Sequence, residues 1–117
     1  MQPQIISAVA ERVITLSNPG NSVALSNSKR TLGNEIAWKI GDALWVLRDI
    51  KDKCQIILGG DILREDMSYT YDNWYYLPNK KLSEDENIHL SYEQGIRYLS
   101  EYMQRNGCQF YVVIVVQ

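Results

Sequence analysis

Residues Tyr69 to Tyr76 read Tyr-Thr-Tyr-Asp-Asn-Trp-Tyr-Tyr and contain five of the twelve aromatic side chains of this chain. Aromatic residues favour β-strands, so this run predicts one. Alternation along a strand places Tyr69, Tyr71, Asn73 and Tyr75 on one face, and Thr70, Asp72, Trp74 and Tyr76 on the other. One face can enter the core. The other face would expose aromatic and polar groups together, which fits a protein-binding surface, although a well-packed central strand would explain the composition too.

Length and composition describe an ordinary globular chain. The 117 residues are enough for one domain, residues 1–117, and the hydrophobic and charged fractions of 45% and 22% are typical of soluble proteins. No run of 18 apolar residues is present, so no transmembrane helix is expected. The start, Met1-Gln2-Pro3-Gln4, lacks the basic residues of a secretory signal. We therefore expect a cytoplasmic protein with no membrane partner.

The charge is uneven along the chain. Gly59 to Glu86 carries seven acidic and three basic residues, a balance of −4, although the whole chain has a net charge of −2. The acidity therefore coincides with the aromatic segment. Nucleic acids bind cationic surfaces, so an acidic segment argues against a nucleic-acid partner. A basic protein partner is the better match.

The hydrophobic periodicity predicts two main helices and three strands. The first helix is expected over Ile36–Lys53 with Asn34 as its N-cap, and the second from Ser91, where Gln94 completes a capping box, to Asn106. The strands are Gln55–Leu58, Tyr69–Leu77 and a central Phe110–Val116, and Ile5–Leu16 has helical spacing. We predict an α+β fold: a mainly antiparallel sheet of about three to five strands with both helices packed on it.

The inventory of reactive side chains is small. The single histidine, His89, is expected in a polar loop before the second helix, where surface or capping histidines are common. Cys54 and Cys108 have no metal-binding or redox spacing and are predicted to be free, buried thiols. The chain contains no nucleophile elbow, P-loop or zinc-protease motif. These observations predict no enzymatic activity, no metal and no cofactor.

Gly59-Gly60-Asp61 leaves a second hypothesis open. Cyclases of the GGDEF type carry the same three letters in a hairpin, but here Ile62-Leu63 replaces the Glu-Phe that would follow. The alternative function is thus a small nucleotide-binding or enzymatic domain that uses this segment. The structural interpretation is a turn, since glycine permits positive φ and aspartate bonds its own backbone.

The segment Ile57-Leu58-Gly59-Gly60-Asp61, its spacer, and the run from Tyr69 to Tyr75 together resemble the immunity protein 40 family of bacterial polymorphic toxin systems. The resemblance covers roughly Ile36 to Val116 and includes both helices and the final strand. It implies a small cytosolic antitoxin that binds and blocks the toxin domain encoded beside it, as in contact-dependent growth inhibition. It implies no catalytic residues.

The aromatic and acidic composition of this segment predicts a partner surface on the outward face of the aromatic strand. The predicted partner-binding residues are Glu65 and Asp66 in the preceding turn, followed by Asp72, Trp74 and Tyr76. Their acids would meet a basic toxin, such as a nuclease whose active site attracts phosphate. The tyrosine face, Tyr69, Tyr71 and Tyr75, is the alternative, because the pattern does not decide which face points outward.

Overall fold

The central element of the sheet is its most apolar strand. The computed structural model describes residues 4–5, 30–32 and 35–117. Its elements are β1 (Gln4–Ile5), β2 (Arg30–Leu32), β3 (Glu35–Lys39), α1 (Ile40–Asp52), β4 (Ile57–Leu63), β5 (Tyr69–Tyr75), α2 (Glu84–Asn106) and β6 (Tyr111–Val116). The segment Ile5–Leu16, whose spacing is helical, lies outside the described residues apart from Ile5, which belongs to β1. Asn34, the predicted N-cap, also lies outside them.

All described strand pairs are antiparallel, in the order β2-β3-β6-β4-β5, with β1 pairing against β6. β6 therefore lies between β4 on one side and β3 and β1 on the other. Its valines and isoleucine are β-branched and have buried neighbours on both faces, which explains the absence of a polar face in its sequence. The predicted α+β fold, with the three predicted strands in one sheet, is confirmed.

Both helices pack on one face of this sheet and against each other. α1 buries a stripe that includes Ala43, Leu47 and Ile50, and α2 buries one that includes Ile88, Gly95 and Leu99. These spacings of three and four residues place each set on one side of its helix. The resulting core joins both helices to Val112, Ile114 and Val116 of the central strand and to Trp38, among others.

The predicted start of α1 at Ile36 is wrong, because a short strand precedes the helix. Residues 35–39 form β3, in which Ala37 pairs with Val113 and Trp38 with Val112. Helical and strand spacing both place Ile36 and Ile40 on the buried side, so periodicity could not separate the two structures. Trp38 is buried in the core, whereas Trp45 on α1 is 46% exposed.

The start of α2 was also predicted too late. Ser83 is the N-cap, and a capping box joins it to Glu86: Glu86 N donates to Ser83 Oγ at 3.1 Å, and Ser83 N donates to Glu86 Oε1 at 3.2 Å. Ser91 lies inside the helix, where its hydroxyl accepts from Ile57 N at 3.0 Å. The Ser-x-x-Glu pattern lies eight residues before the Ser-x-x-Gln pattern, in a polar stretch where hydrophobic periodicity does not indicate a helix.

Two smaller expectations about reactive side chains also change. His89 lies within α2 and pairs with Glu93 at 2.9 Å, not in a loop. Cys54 and Cys108 are free, as predicted, but both are exposed.

Trp74 holds the aromatic strand against the helices. An added Cβ at Gly60 would lie 2.6 Å from Trp74 ring carbons, and one at Gly95 would lie 3.5 Å from the same ring. The indole therefore occupies the space that Gly60 leaves in the sheet and lies in van der Waals contact with Gly95 of α2. It also stacks on Tyr98, with ring centroids 5.2 Å apart. We call this arrangement of Trp74, Gly60, Gly95 and Tyr98 the tryptophan clamp.

Asn87 ties the segment after β5 to α2. Its Oδ1 accepts from the Tyr76 hydroxyl at 2.6 Å and from Asn79 N at 2.8 Å, while Nδ2 donates to the carbonyls of Asn79 and Ser83. Asn87 is only 5% exposed, so a missing partner would leave buried polar groups unsatisfied.

We expect Gly60→Ala to lower the free energy of unfolding by about 2 to 3 kcal/mol, because the new methyl group would overlap the indole and the Val113 carbonyl. Gly41→Ala is the matched control: a Cβ there meets nothing within 4 Å, and alanine is the better helix former. Urea denaturation of both variants checks the prediction. Equal stability of the two would contradict the tryptophan clamp.

We expect Asn87→Ala to cost about 2 to 3 kcal/mol, because several buried groups lose their partner together. Tyr76→Phe removes a single hydrogen bond and should cost about 1 kcal/mol. Thermal and urea unfolding of the two variants gives both numbers. An Asn87→Ala loss no larger than that of Tyr76→Phe would mean that the network does not depend on Asn87.

Candidate functional site

The outer face of β5 exposes three tyrosines. Tyr69, Tyr71 and Tyr75 are 42%, 87% and 76% exposed, and Leu77 just after the strand is 79% exposed. We call these three side chains the outer tyrosine face. Among the described strands β5 pairs only with β4 and so ends the sheet. By contrast, the same face of the sheet is buried at its centre, around Val113 of β6.

A bulge pushes Tyr71 outward. In the register of β4 and β5, Asp61 pairs with Asn73 and Leu63 with Tyr69, so three residues of β5 stand opposite the single Ile62. Tyr71 adopts a φ of 68°, a left-handed conformation that is unusual for a bulky residue. The Thr70 hydroxyl holds the bulge, since it donates to Ile62 O at 2.8 Å and accepts from Asp72 N at 3.0 Å.

Next to the outer tyrosine face lies a cleft of about 400 Å³, which we call the Gly59 trough. Gly59 pairs with Tyr75 and Val115 there, and a Cβ added at Gly59 would overlap the Trp74 carbonyl oxygen, so the close approach of β5 requires glycine. β4 runs through both glycines with a bulge near Gly59, whose φ is 147°. The predicted turn at these glycines is therefore wrong. Residues lining the trough include Gly60, Asp61, Asn73, Leu77 and Pro78.

The geometry of the trough does not favour the nucleotide hypothesis. Asp61 is the one charged residue among those that line it, and the lining contains no lysine, arginine or histidine. The glycines belong to a strand and not to a phosphate-binding loop before a helix. A phosphate group would meet a carboxylate there.

Two of the predicted partner-binding residues, Glu65 and Asp66, lie exposed at the tip of the β4–β5 hairpin. The Asp66 carboxylate accepts from Ser68 Oγ at 2.6 Å and from Ser68 N at 2.9 Å. These hydrogen bonds hold the pKa of Asp66 below its ordinary value, so the group stays negative. The tip is therefore an ordered acidic turn beside Tyr69.

The other three predicted residues face α2, so the expected outward orientation is corrected. Trp74 is 6% exposed within the tryptophan clamp. Tyr76 is half-buried and bonded to Asn87. Asp72 is exposed, but its Oδ2 accepts from the Tyr102 hydroxyl at 2.8 Å. The physical reason is the space at Gly60 and Gly95, which accommodates an indole only on the helix side of β5.

The outward face is the tyrosine face, which the sequence left open as the alternative. One feature of the sequence favours it. A tryptophan whose strand neighbour is Gly60 can lie flat across that neighbour, as the Gly60–Trp74 pair does. The strand pairing itself was needed to use this signal. Asp61, Asn73 and Leu77 were not predicted as part of the surface, because the glycines beside Asp61 suggested a turn.

Neither described helix is long and apolar enough to cross a membrane. Among residues 35–117, no three histidine, cysteine or carboxylate side chains converge in a way that could hold a metal ion.

Comparison with known proteins gives one match. The family model described as immunity protein 40 matches residues 23–116, most of the chain, including β3 to β6 and both helices. No curated protein and no solved structure matches significantly. The matched range contains the glycine pair, the aromatic strand and the central strand, which together build the site described above. The chain belongs to the immunity protein 40 family.

Proposed function

We propose that this chain is a cytoplasmic immunity protein that neutralises its cognate toxin by direct contact. The toxin domain would bind the outer tyrosine face together with the hairpin acids Glu65 and Asp66. The observation that carries this proposal is the exposure of three tyrosines on one strand, which Trp74 anchors to the core from the opposite face. Exposed aromatic side chains grouped on a rigid element are typical anchors of protein interfaces.

Backbone strain at Tyr71 supports the same surface. A non-glycine residue at positive φ costs on the order of 1 kcal/mol, and this side chain recovers little by burial because it is 87% exposed. Folding alone gives no reason to keep a tyrosine there. A partner that binds the ring would give one.

The remaining predicted residues take a supporting role in this proposal. They anchor the helix side of β5 to α2. Trp74 does so through the tryptophan clamp, Tyr76 through its hydrogen bond to Asn87, and Asp72 through its hydrogen bond from Tyr102. A rigid support reduces the entropy that the exposed tyrosines lose when they bind. Substitutions at these positions would thus weaken binding through the fold.

Side chains, and not an added strand, would form the contact. The Tyr75 carbonyl already accepts from Gln94 Nε2 at 2.9 Å, and the bulge at Tyr71 interrupts the regular edge of β5. Bulges and covered backbone groups make an edge a poor template for a partner strand. The interface would therefore resemble an aromatic patch with an acidic rim.

The acidic rim fits a basic toxin, and a nuclease is the toxin class that we propose. Nuclease active sites attract phosphate and carry positive charge, so the −4 balance of Gly59 to Glu86 would speed association with such a domain. No turnover is required for this inhibition. His89, the single histidine, is engaged with Glu93 on the surface of α2.

We expect Tyr71→Ala and Tyr75→Ala each to weaken toxin binding by about thirtyfold, the effect of losing an anchor worth about 2 kcal/mol. Trp45→Ala is the control, because Trp45 is a large exposed aromatic residue on α1, away from β5. Affinity for the inactivated cognate toxin domain can be measured by calorimetry, with circular dichroism to verify folding. Protection of cells that express the active toxin should follow the same order.

If the folded double variant Tyr71→Ala, Tyr75→Ala binds and protects like the parent, the interface lies elsewhere. A loss in Trp45→Ala equal to theirs would also contradict the proposal.

We expect Tyr71→Gly to be more stable than the parent by about 0.5 to 1 kcal/mol and yet a weaker inhibitor, because glycine relieves the positive φ but has no ring. Tyr75→Gly is the matched control at an exposed β5 position without positive φ, and it should lose stability. Urea denaturation and calorimetry give both quantities. A destabilised Tyr71→Gly would show that the bulge is not strained.

A further inference from the structure

We propose that the Gly59 trough receives an arginine side chain of the toxin, with its guanidinium paired to Asp61 and stacked against Tyr75. This inference rests on the proposed function and assigns the chemistry of one contact within it. It concerns residues that the outer tyrosine face alone does not explain: the glycine pair, the carboxylate next to it and the exposed Leu77.

The shape of the trough admits one long side chain. Across three neighbouring strands, one row contains Tyr75, Gly59 and Val115. The next row on the same face of the sheet contains Asn73, Asp61 and Val113. The trough is bounded by Tyr75 and Leu77, among others. A side chain entering past Leu77 and Tyr75 would reach Asp61 in the adjacent row.

The negative charge of Asp61 favours a cationic partner side chain in the trough. Asp61 is half-buried, and no hydrogen bond or salt bridge to its carboxylate forms within residues 35–117. Its field reaches the neighbouring strand: burial is the main cause that raises the pKa of Tyr69, and the carboxylates of Glu35 and Asp61 add to it. A partner that covered this carboxylate with apolar groups would bury an unpaired charge, which is costly.

Arginine fits the Asp61 carboxylate and the Tyr75 ring better than lysine does. Its flat guanidinium can stack on a tyrosine ring and at the same time donate two hydrogen bonds to a carboxylate. Tyr75 is 76% exposed and therefore offers its ring to such a contact. Lysine carries a more strongly hydrated point charge and cannot make the bidentate pair. Arginine is also enriched in the cores of protein interfaces.

The first experiment measures Asp61→Asn against the inactivated cognate toxin domain over a range of salt concentrations. Asparagine keeps the size of the side chain, and the fold has no bond to this carboxylate to lose within the described residues. We expect at least a tenfold loss of affinity and a weaker salt dependence. Glu84→Gln is the control, because it removes an exposed carboxylate in the first turn of α2. Its affinity should stay within twofold of the parent.

The second experiment identifies the residue that Asp61 meets. Each arginine and lysine on the toxin domain is changed to alanine and combined with Asp61→Asn in double-mutant cycles. We expect one arginine whose loss adds nothing once Asp61 is changed, and its replacement by lysine should not restore affinity. The same arginine should couple to Tyr75→Ala.

The outcomes separate the two proposals. If Asp61→Asn binds within twofold of the parent while Tyr71→Ala loses affinity, the trough contact is wrong and the tyrosine interface stands. Coupling of Asp61 to a lysine, or to no basic residue, also overturns the arginine assignment. If none of the variants loses affinity, both proposals are wrong.

Discussion

The fold depends on one ring held between two glycines. Trp74 crosses Gly60 on the sheet, lies against Gly95 on α2 and stacks on Tyr98. From there an aromatic row continues along α2, since Tyr98 stacks on Tyr102 and Tyr102 meets the edge of Phe110 just before the central strand. A side chain at Gly60 would have to displace the indole, whereas a Cβ at Gly95 would press on Leu47 Cδ1 at 3.0 Å. The sheet and the longer helix are thus joined by a contact that tolerates no extra volume at Gly60.

The Trp74 indole also determines which face of β5 is exposed. A shift by one residue would reverse the two faces of a regular strand, and the tryptophan clamp prevents that shift because only the indole side fits under α2. The core therefore specifies the proposed binding surface indirectly. Tyr71 and Tyr75 bury little and can vary without loss of packing, whereas Trp74 cannot. Such a separation would allow a surface to follow a changing partner while the fold remains constant.

Sequence patterns predicted the elements better than they predicted orientation. The strand predicted over Tyr69–Leu77 appears as Tyr69–Tyr75, and the stop of α2 near Gly107 and the central final strand also appear, since each has a strong local signal. The boundary between β3 and α1 was missed because Ile36 and Ile40 satisfy both periods. The outward face of β5 was undetermined for a similar reason: both faces are aromatic, and the space that selects Trp74 is created by Gly60 and Gly95, which are distant in sequence. The trough at Asp61 required the register of three strands.

The position of β6 in the sheet has a consequence for synthesis on the ribosome. β3 and β4 are both made before β6, yet each pairs with β6 in the order β3-β6-β4. While the chain emerges, the β4–β5 hairpin can form locally, but the sheet cannot close and the helices have no continuous surface to cover. The nascent chain would expose apolar strands until Tyr111 to Val116 leaves the exit tunnel. A chain terminated before that segment would lack the strand that joins the two halves of the sheet.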